Sequence, residues 1–224
     1  MSGIQNEMVW SDDFVGGEAF AAAGQGSPWA IAETSAAGTP VTAVVSPSAT
    51  GEIKLGFDNT SEVQNVCLFN NDVLWLDIDN LQQVEYRIKV DNDSTALDSA
   101  TSLAFGVCSA RNATIDSLAT HASFRLIGSN SLVVESDDGT TDKDDVATGQ
   151  SLGETYKRFV IDFTGGKKDV KFYVDGIRVG ASTVFDMSAA TGSVQLYVQI
   201  QKTADTNVDA VLIDYVEVTS KRPV

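Results

Sequence analysis

Aspartate is the residue type with most chemical promise in this chain. The stretch SDDGTTDKDDVATG at 136–149 gathers Asp137, Asp138, Asp142, Asp144 and Asp145 around Gly139, which permits a sharp turn. Clustered carboxylates suit Ca²⁺, a hard cation that takes six to eight oxygen ligands. The spacing is not that of an EF-hand loop, and the plain alternative is a solvated acidic loop. In LWLDIDN, Asp77 and Asp79 share one strand face but have no glutamate partner. Glycoside hydrolysis needs two carboxyl groups flanking the scissile bond, so a solvated strand face is the better reading and no enzyme activity is expected. His121 is the single histidine, and no nucleophile motif surrounds it. With so few soft ligands, any metal is expected to be structural Ca²⁺ rather than a transition metal.

These residues sit in a pattern of short strands. In YKRFVIDFTGGKKDVKFYVDGIRVG at 156–180, Phe159, Ile161 and Phe163 share one face, as do Val170, Phe172 and Val174, because strand side chains alternate with period two. Asp175-Gly176 fits a two-residue type I′ hairpin, which needs φ > 0 at both central residues. Val84, Tyr86, Ile88 and Val90 alternate with charged residues, and Val194, Leu196, Val198 and Ile200 alternate with Gln195, Tyr197, Gln199 and Gln201. A short helix is expected within 112–120, and an acidic loop over 136–149. Cys67 and Cys108 lie in strand-like runs and are expected to be free buried thiols. Many short strands without a long linker predict one all-β sandwich domain over 1–224, of two antiparallel sheets, with 1–30 as an extended arm or first strand.

The formal charge of −16 over 224 residues opposes docking on nucleic acid or anionic lipid. It suits solubility, cation binding, or contact with a basic protein surface. No apolar run is long enough for a membrane span, and MSGIQNEMVW shows no secretory signal pattern.

The hairpin FVIDFTGGKKDVKFYVDGIRV, together with SDDF near the start and IDYVEV near the end, resembles concanavalin A-like domains, including laminin-G-like modules and glucanase-like jelly rolls. The resemblance implies a jelly-roll sandwich, a fold that hosts lectins, hydrolases and structural proteins alike. It further implies a structural Ca²⁺ between the first and last strands, which here would fall on Asp12 or Asp13 and Asp214. The glucanase relatives carry Glu-x-Asp-x-x-Glu on one strand, and no such string occurs in this chain. Sugar binding in such domains uses aromatic, amide and acidic groups on the concave sheet, which points to Tyr173, Gln195, Tyr197, Gln199 and Gln201 as a candidate binding surface, the alternatives being a subunit interface or a plain solvated sheet.

In overall character the chain also resembles tailed-phage capsid decoration proteins. The first functional expectation is therefore a non-enzymatic virion protein, assembled in a host cytoplasm. It would bind the major capsid protein and itself as a homo-oligomer, with a trimer as the form that the resemblance implies. The alternatives are a carbohydrate-binding lectin-like module and a divergent glycoside hydrolase.

Overall fold

A computed structural model describes residues 7–15, 28–39, 41–46, 51–91 and 97–222. Among the described residues, sixteen strands, numbered in chain order, form two sheets in which every pairing is antiparallel. The first runs β14 (Ile177–Val179), β13 (Lys171–Val174), β12 (Lys157–Asp162), β7 (Leu81–Val90), β16 (Ala210–Lys221), β4 (Glu52–Gly56), β3 (Val41–Ser46). There β1 (Glu7–Asp12) also pairs with β16, so the first and last strands lie side by side. The second runs β11 (Asp142–Ser151), β10 (Ser131–Asp137), β9 (His121–Ile127), β8 (Thr101–Cys108), β15 (Ser193–Asp205), β5 (Glu62–Phe69), β2 (Ala30–Thr34), with the two-residue β6 (Leu76–Asp77) on β15.

One apolar core draws on both sheets. Its centre is a chain of rings crossing between them: Tyr86 on Phe105, Phe105 on Phe159, Phe159 on Phe124, and Phe124 on Phe172, with centroids 4.9–5.6 Å apart. Phe105 and Phe124 come from one sheet, and Tyr86, Phe159 and Phe172 from the other. Edge-to-face contacts of this kind add to the large apolar area that each ring buries. At one end of the sandwich Trp10 packs on Trp29 and Trp75; Trp29 is fully buried.

The expected hairpin is present. Asp175 and Gly176 have φ of 49° and 80° and join Val174 to Ile177, which are paired. Cys67 and Cys108 are buried and free. Three local expectations change. Residues 115–117 make a single 3₁₀ turn in place of a helix. Of the run around Leu76, only Leu76–Asp77 is strand. Most of the acidic stretch is not a loop but the edge strand β11. It carries little apolar surface, so β10 supplies its pairing through the backbone, and its charges suit an exposed edge.

Candidate functional site

Directly opposed residues of an antiparallel ladder share a sheet face. Three successive cross-sheet rows of the second sheet therefore point away from the core. The first contains Gln195, Cys108, His121, Asp137 and Asp142. The next contains Phe69, Tyr197, Gly106, Ser123 and Glu135. The third contains Cys67, Gln199, Ala104, Arg125 and Val133.

Much of this face is covered. Residues 109–120, which connect β8 to β9, fold back across it, and Ile115 and Leu118 pack with Cys67, Phe69, Ala104, Cys108 and Tyr197. Asn65 Nδ2 donates to Ala113 O (2.6 Å), and Gln199 Nε2 to Asn112 O (3.0 Å). The Asp72 carboxylate accepts from Arg111 N (3.0 Å) and from Gln195 Nε2 (2.6 Å). Gln195, Tyr197 and Gln199 are consequently 0%, 1% and 0% exposed. The open polar stripe expected of them is not there. Their strand face follows from the alternation, but the cover comes from a segment far away in sequence. Gln201 is half-buried, on the same face as Asn65 and Ser102. Tyr173, also half-buried, belongs to the first sheet, opposite Val160 and Arg178, so the five residues do not form one surface.

Where the cover ends, beside β9–β11, a polar cavity of about 110 Å³ is lined by Asp116, Leu118, His121, Glu135, Asp137, Asp142 and Asp144. A bulge in β11 shapes it. Val146 faces Val134 and Lys143 faces Ser136, which leaves Asp144 and Asp145 together opposite Glu135. Such bulges re-aim side chains, and Asp145 takes φ of 46°, a left-handed conformation that aspartate tolerates better than most residues. Arg125 Nη1 donates to Asp116 Oδ1 and to Glu135 Oε1, both at 2.6 Å, and lies 3.8 Å from Asp145 Oδ1. His121 Nε2 is 3.7 Å from Glu135 Oε2, and its Nδ1 is 3.1 Å from Leu118 O.

Burial pushes the Glu135 carboxyl up, but bonding to His121 and the Arg125 charge outweigh it, and the net shift is downward. For Asp145, burial, a hydrogen bond shared with Glu135 and that group's charge all act upward, to about 6. Asp144 is raised by burial and by the charges of Glu135, Asp142 and Asp116. The pocket thus holds more negative charge than Arg125 neutralises. Carboxylate oxygens of Asp116, Glu135 and Asp144 lie within 4.8 Å of one another, a hard-oxygen set of the type that holds Ca²⁺.

Of the expected metal ligands, Asp137, Asp142 and Asp144 line this cavity. Asp138 does not. Its carboxylate accepts from Thr140 N, Thr141 N and Ala189 N (2.9, 2.6 and 2.8 Å) and fastens the β10–β11 turn. The aspartates carried over from the adjacent first and last strands each have partners of their own, with Asp12 opposite Val216 in the β1–β16 ladder. Asp12 accepts from Trp29 Nε1 (2.8 Å) and Phe14 N (2.9 Å), while Asp13 is exposed and caps Val15 N at 3.3 Å. Asp214 is paired with Arg87, at a register shift in β16 between Ile213 and Tyr215. Asp77 and Asp79 close a turn, where Asp77 accepts from Asn80 Nδ2 (2.5 Å) and Asp79 pairs with Lys167 (2.6 Å).

The residues that sequence reasoning passed over are Asp116, Arg125 and Glu135. One signal was available: Glu135-Ser136-Asp137 puts two carboxylates on one face of β10. The third place of a Glu-x-Asp-x-x-Glu string would fall on Thr140.

No family of known proteins matches this sequence, and no curated protein does. Solved structures do match in three dimensions. A Bacillus licheniformis beta-glucanase superposes with a TM-score of 0.60 at 11% identity, covering 94% of this chain and 97% of that one. This chain has the concanavalin A-like jelly-roll fold. An endo-1,3-beta-glucanase from Streptomyces sioyaensis matches with a TM-score of 0.55 at 14% identity over 100% and 99% of the two chains. The carbohydrate recognition domain of Emp47p matches with 0.56 at 13% over 87% and 88%. The jelly roll sets the sandwich and its two faces, and the cover and acidic pocket are what this chain builds on one of them.

Proposed function

We propose that this concanavalin A-like chain is a non-enzymatic carbohydrate-binding domain whose ligand contacts start at the β9–β11 pocket. The observation that carries this reading is the pocket's mixture of groups. Carboxylates of Asp137, Asp142 and Asp144 would accept hydrogen bonds from sugar hydroxyls, beside the buried Arg125 guanidinium. Glycan recognition by the similar Emp47p domain accords with it. The non-enzymatic part of the reading rests on Glu135, which is bonded to Arg125 and held below the usual carboxylate range, a state that does not suit a general acid.

Ca²⁺ is the cation that the pocket would hold, through Asp116, Glu135 and Asp144, there steadying the cover against β10–β11. The donor set fits this ion in chemistry, and each carboxylate keeps an oxygen beyond those bonded to Arg125.

Affinity electrophoresis through gels containing barley β-glucan or laminarin, with Ca²⁺ or EDTA, tests the reading. Retardation that weakens in Asp144→Asn, without release of reducing sugar, is expected. Unretarded migration in both polysaccharides overturns it, and sugar release abolished by Glu135→Gln turns the reading to a hydrolase. A second reading, a decoration protein on a virion shell, is favoured by the charge of −16 and is taken up at the scale of the whole molecule.

A further inference from the structure

The covered face carries polar atoms that the fold leaves without partners. Asn65 Oδ1, Gln199 Oε1 and Arg125 Nε are buried and make no hydrogen bond, and the buried Tyr197 and Ser123 hydroxyls have only each other. All five residues lie on the outer face of the second sheet, on β5, β15 and β9. Buried polar groups in native proteins are nearly always paired, and leaving one unpaired is costly. Three such atoms and a hydroxyl pair on one face, under one segment, make a layer equipped for hydrogen bonding. At its centre Gly106 and Ala104 leave the sheet low between Tyr197, Gln199, Ser123 and Arg125.

The cover is a compact unit of its own. Ser109 N donates to Thr120 O at 2.8 Å, which closes the ends of a compact loop of the Ω type. Of its residues only Ile115 and Leu118 are buried, and the rest are exposed or half-buried. Its internal bonds, Asn112 Nδ2 to Ser117 O (3.0 Å), Thr114 N to Asn112 Oδ1 (2.9 Å) and Ser117 N to Thr114 O (3.1 Å), travel with it. Its bonds to the sheet include those from Asn65, Gln199 and Arg125, the same side chains that carry unpartnered atoms, and its other outward ties are Leu118 O with His121 Nδ1 and Arg111 N with Asp72.

We propose that residues 109–120 are a hinged cover that lifts as a unit from this ready-made polar layer to admit a polyhydroxylated ligand. Lifting breaks no pairing between β8 and β9, because the Ser109–Thr120 bond lies at the hinge. The ligand's hydroxyls then replace the carbonyls of Asn112 and Ala113 and satisfy the atoms left over. The ligand class rests on the carbohydrate-binding reading; the motion does not.

Cys67 and Cys108 lie beneath the cover, each fully buried and packed with Ile115 and Leu118, and serve as native reporters. The full chain is treated with a charged aromatic disulfide reagent across low urea concentrations. Local lifting predicts that both thiols react at a rate nearly independent of urea below the unfolding transition. Leu118→Ser is expected to raise that rate at least tenfold, and Asp116→Asn several-fold. Reaction that carries the full urea dependence of global unfolding, in the native chain and in Asp116→Asn alike, overturns the proposal. Hydrogen exchange of the 109–120 peptide gives the same discrimination without mutation. Soluble β-glucan oligosaccharides are then added. A changed labelling rate supports the ligand class, while unchanged rates with local opening intact overturn the carbohydrate reading and leave the cover standing.

Discussion

Asp145 is the most informative single residue for pH behaviour. An aspartate in an unfolded chain titrates near 3.9, whereas burial and the Glu135 charge raise this one to about 6. Between those values the folded protein holds a proton that the unfolded chain has released. Its contribution to stability is full below about 3.9 and is lost as pH rises through about 6. With calcium chelated, Asp145→Asn should match the native chain near pH 4 and exceed it in urea midpoint at pH 8. Equal midpoints at pH 8 would mean that the carboxylate is not opposed by Glu135. Calcium itself should raise the melting temperature by mass action. That gain is expected to fall in Asp144→Asn and to persist in Asp214→Ala, since Asp214 is engaged with Arg87. Thermal melts with EDTA or Ca²⁺ decide between the two locations, and a gain lost only in Asp214→Ala would move the ion to the last strand.

Among the elements, two loops at one end of the sandwich depend on a single buried cation. Lys202 on β15 is fully buried. Its Nζ donates to Asp58 O, Thr60 O and Asn207 O at 2.6, 3.0 and 3.1 Å and lies 5.6 Å from the Phe57 ring centroid. It ties the β4–β5 connection to the β15–β16 connection through main-chain acceptors alone. Lys202→Met keeps the volume but orphans the carbonyls, at about 1–3 kcal/mol for each left dry. Equilibrium urea unfolding should show a loss of about 2–5 kcal/mol, and a loss under about 1 kcal/mol would mean that water takes the ammonium's place. The cover is held more lightly. Two apolar anchors, at about 1.5–3 kcal/mol each, and a handful of polar bonds hold it, and none of them belongs to the ladder between β8 and β9. Opening of the cover therefore leaves the sheet pairings in place.

For the molecule as a whole, the charge of −16 works against self-association of bare surfaces and favours a basic or neutral partner. On the decoration-protein reading, several weak contacts made together around a symmetry axis would give tight attachment, and attachment to a basic shell site would weaken with salt. Co-sedimentation with undecorated shells at low and high salt, alongside sedimentation velocity of the free protein, tests this. A monomer that never pellets with shells yet binds β-glucan gels removes the decoration reading.

How much of this was legible in the sequence follows from the range of each signal. Period-two alternation is local, so Val194, Leu196, Val198 and Ile200 could be assigned to the core from their own strand. The Asp175-Gly176 turn is equally local, because φ > 0 at both positions is a property of two residues. By itself, then, the sequence determined the sandwich, its strands of strong apolar alternation and which of their side chains turn away from the core, but not the polar edge strand β11. Only the tertiary structure decided what becomes of the outer side chains. Gln195, Tyr197 and Gln199 lie under residues 109–120, and no pattern within β15 encodes a loop laid across it. Asp116, Arg125, Glu135 and Asp144 meet through the β9–β10 register, the β11 bulge and the cover. Registers and bulges are set by the fit of one strand against another, so the pocket exists only once the sheets have formed.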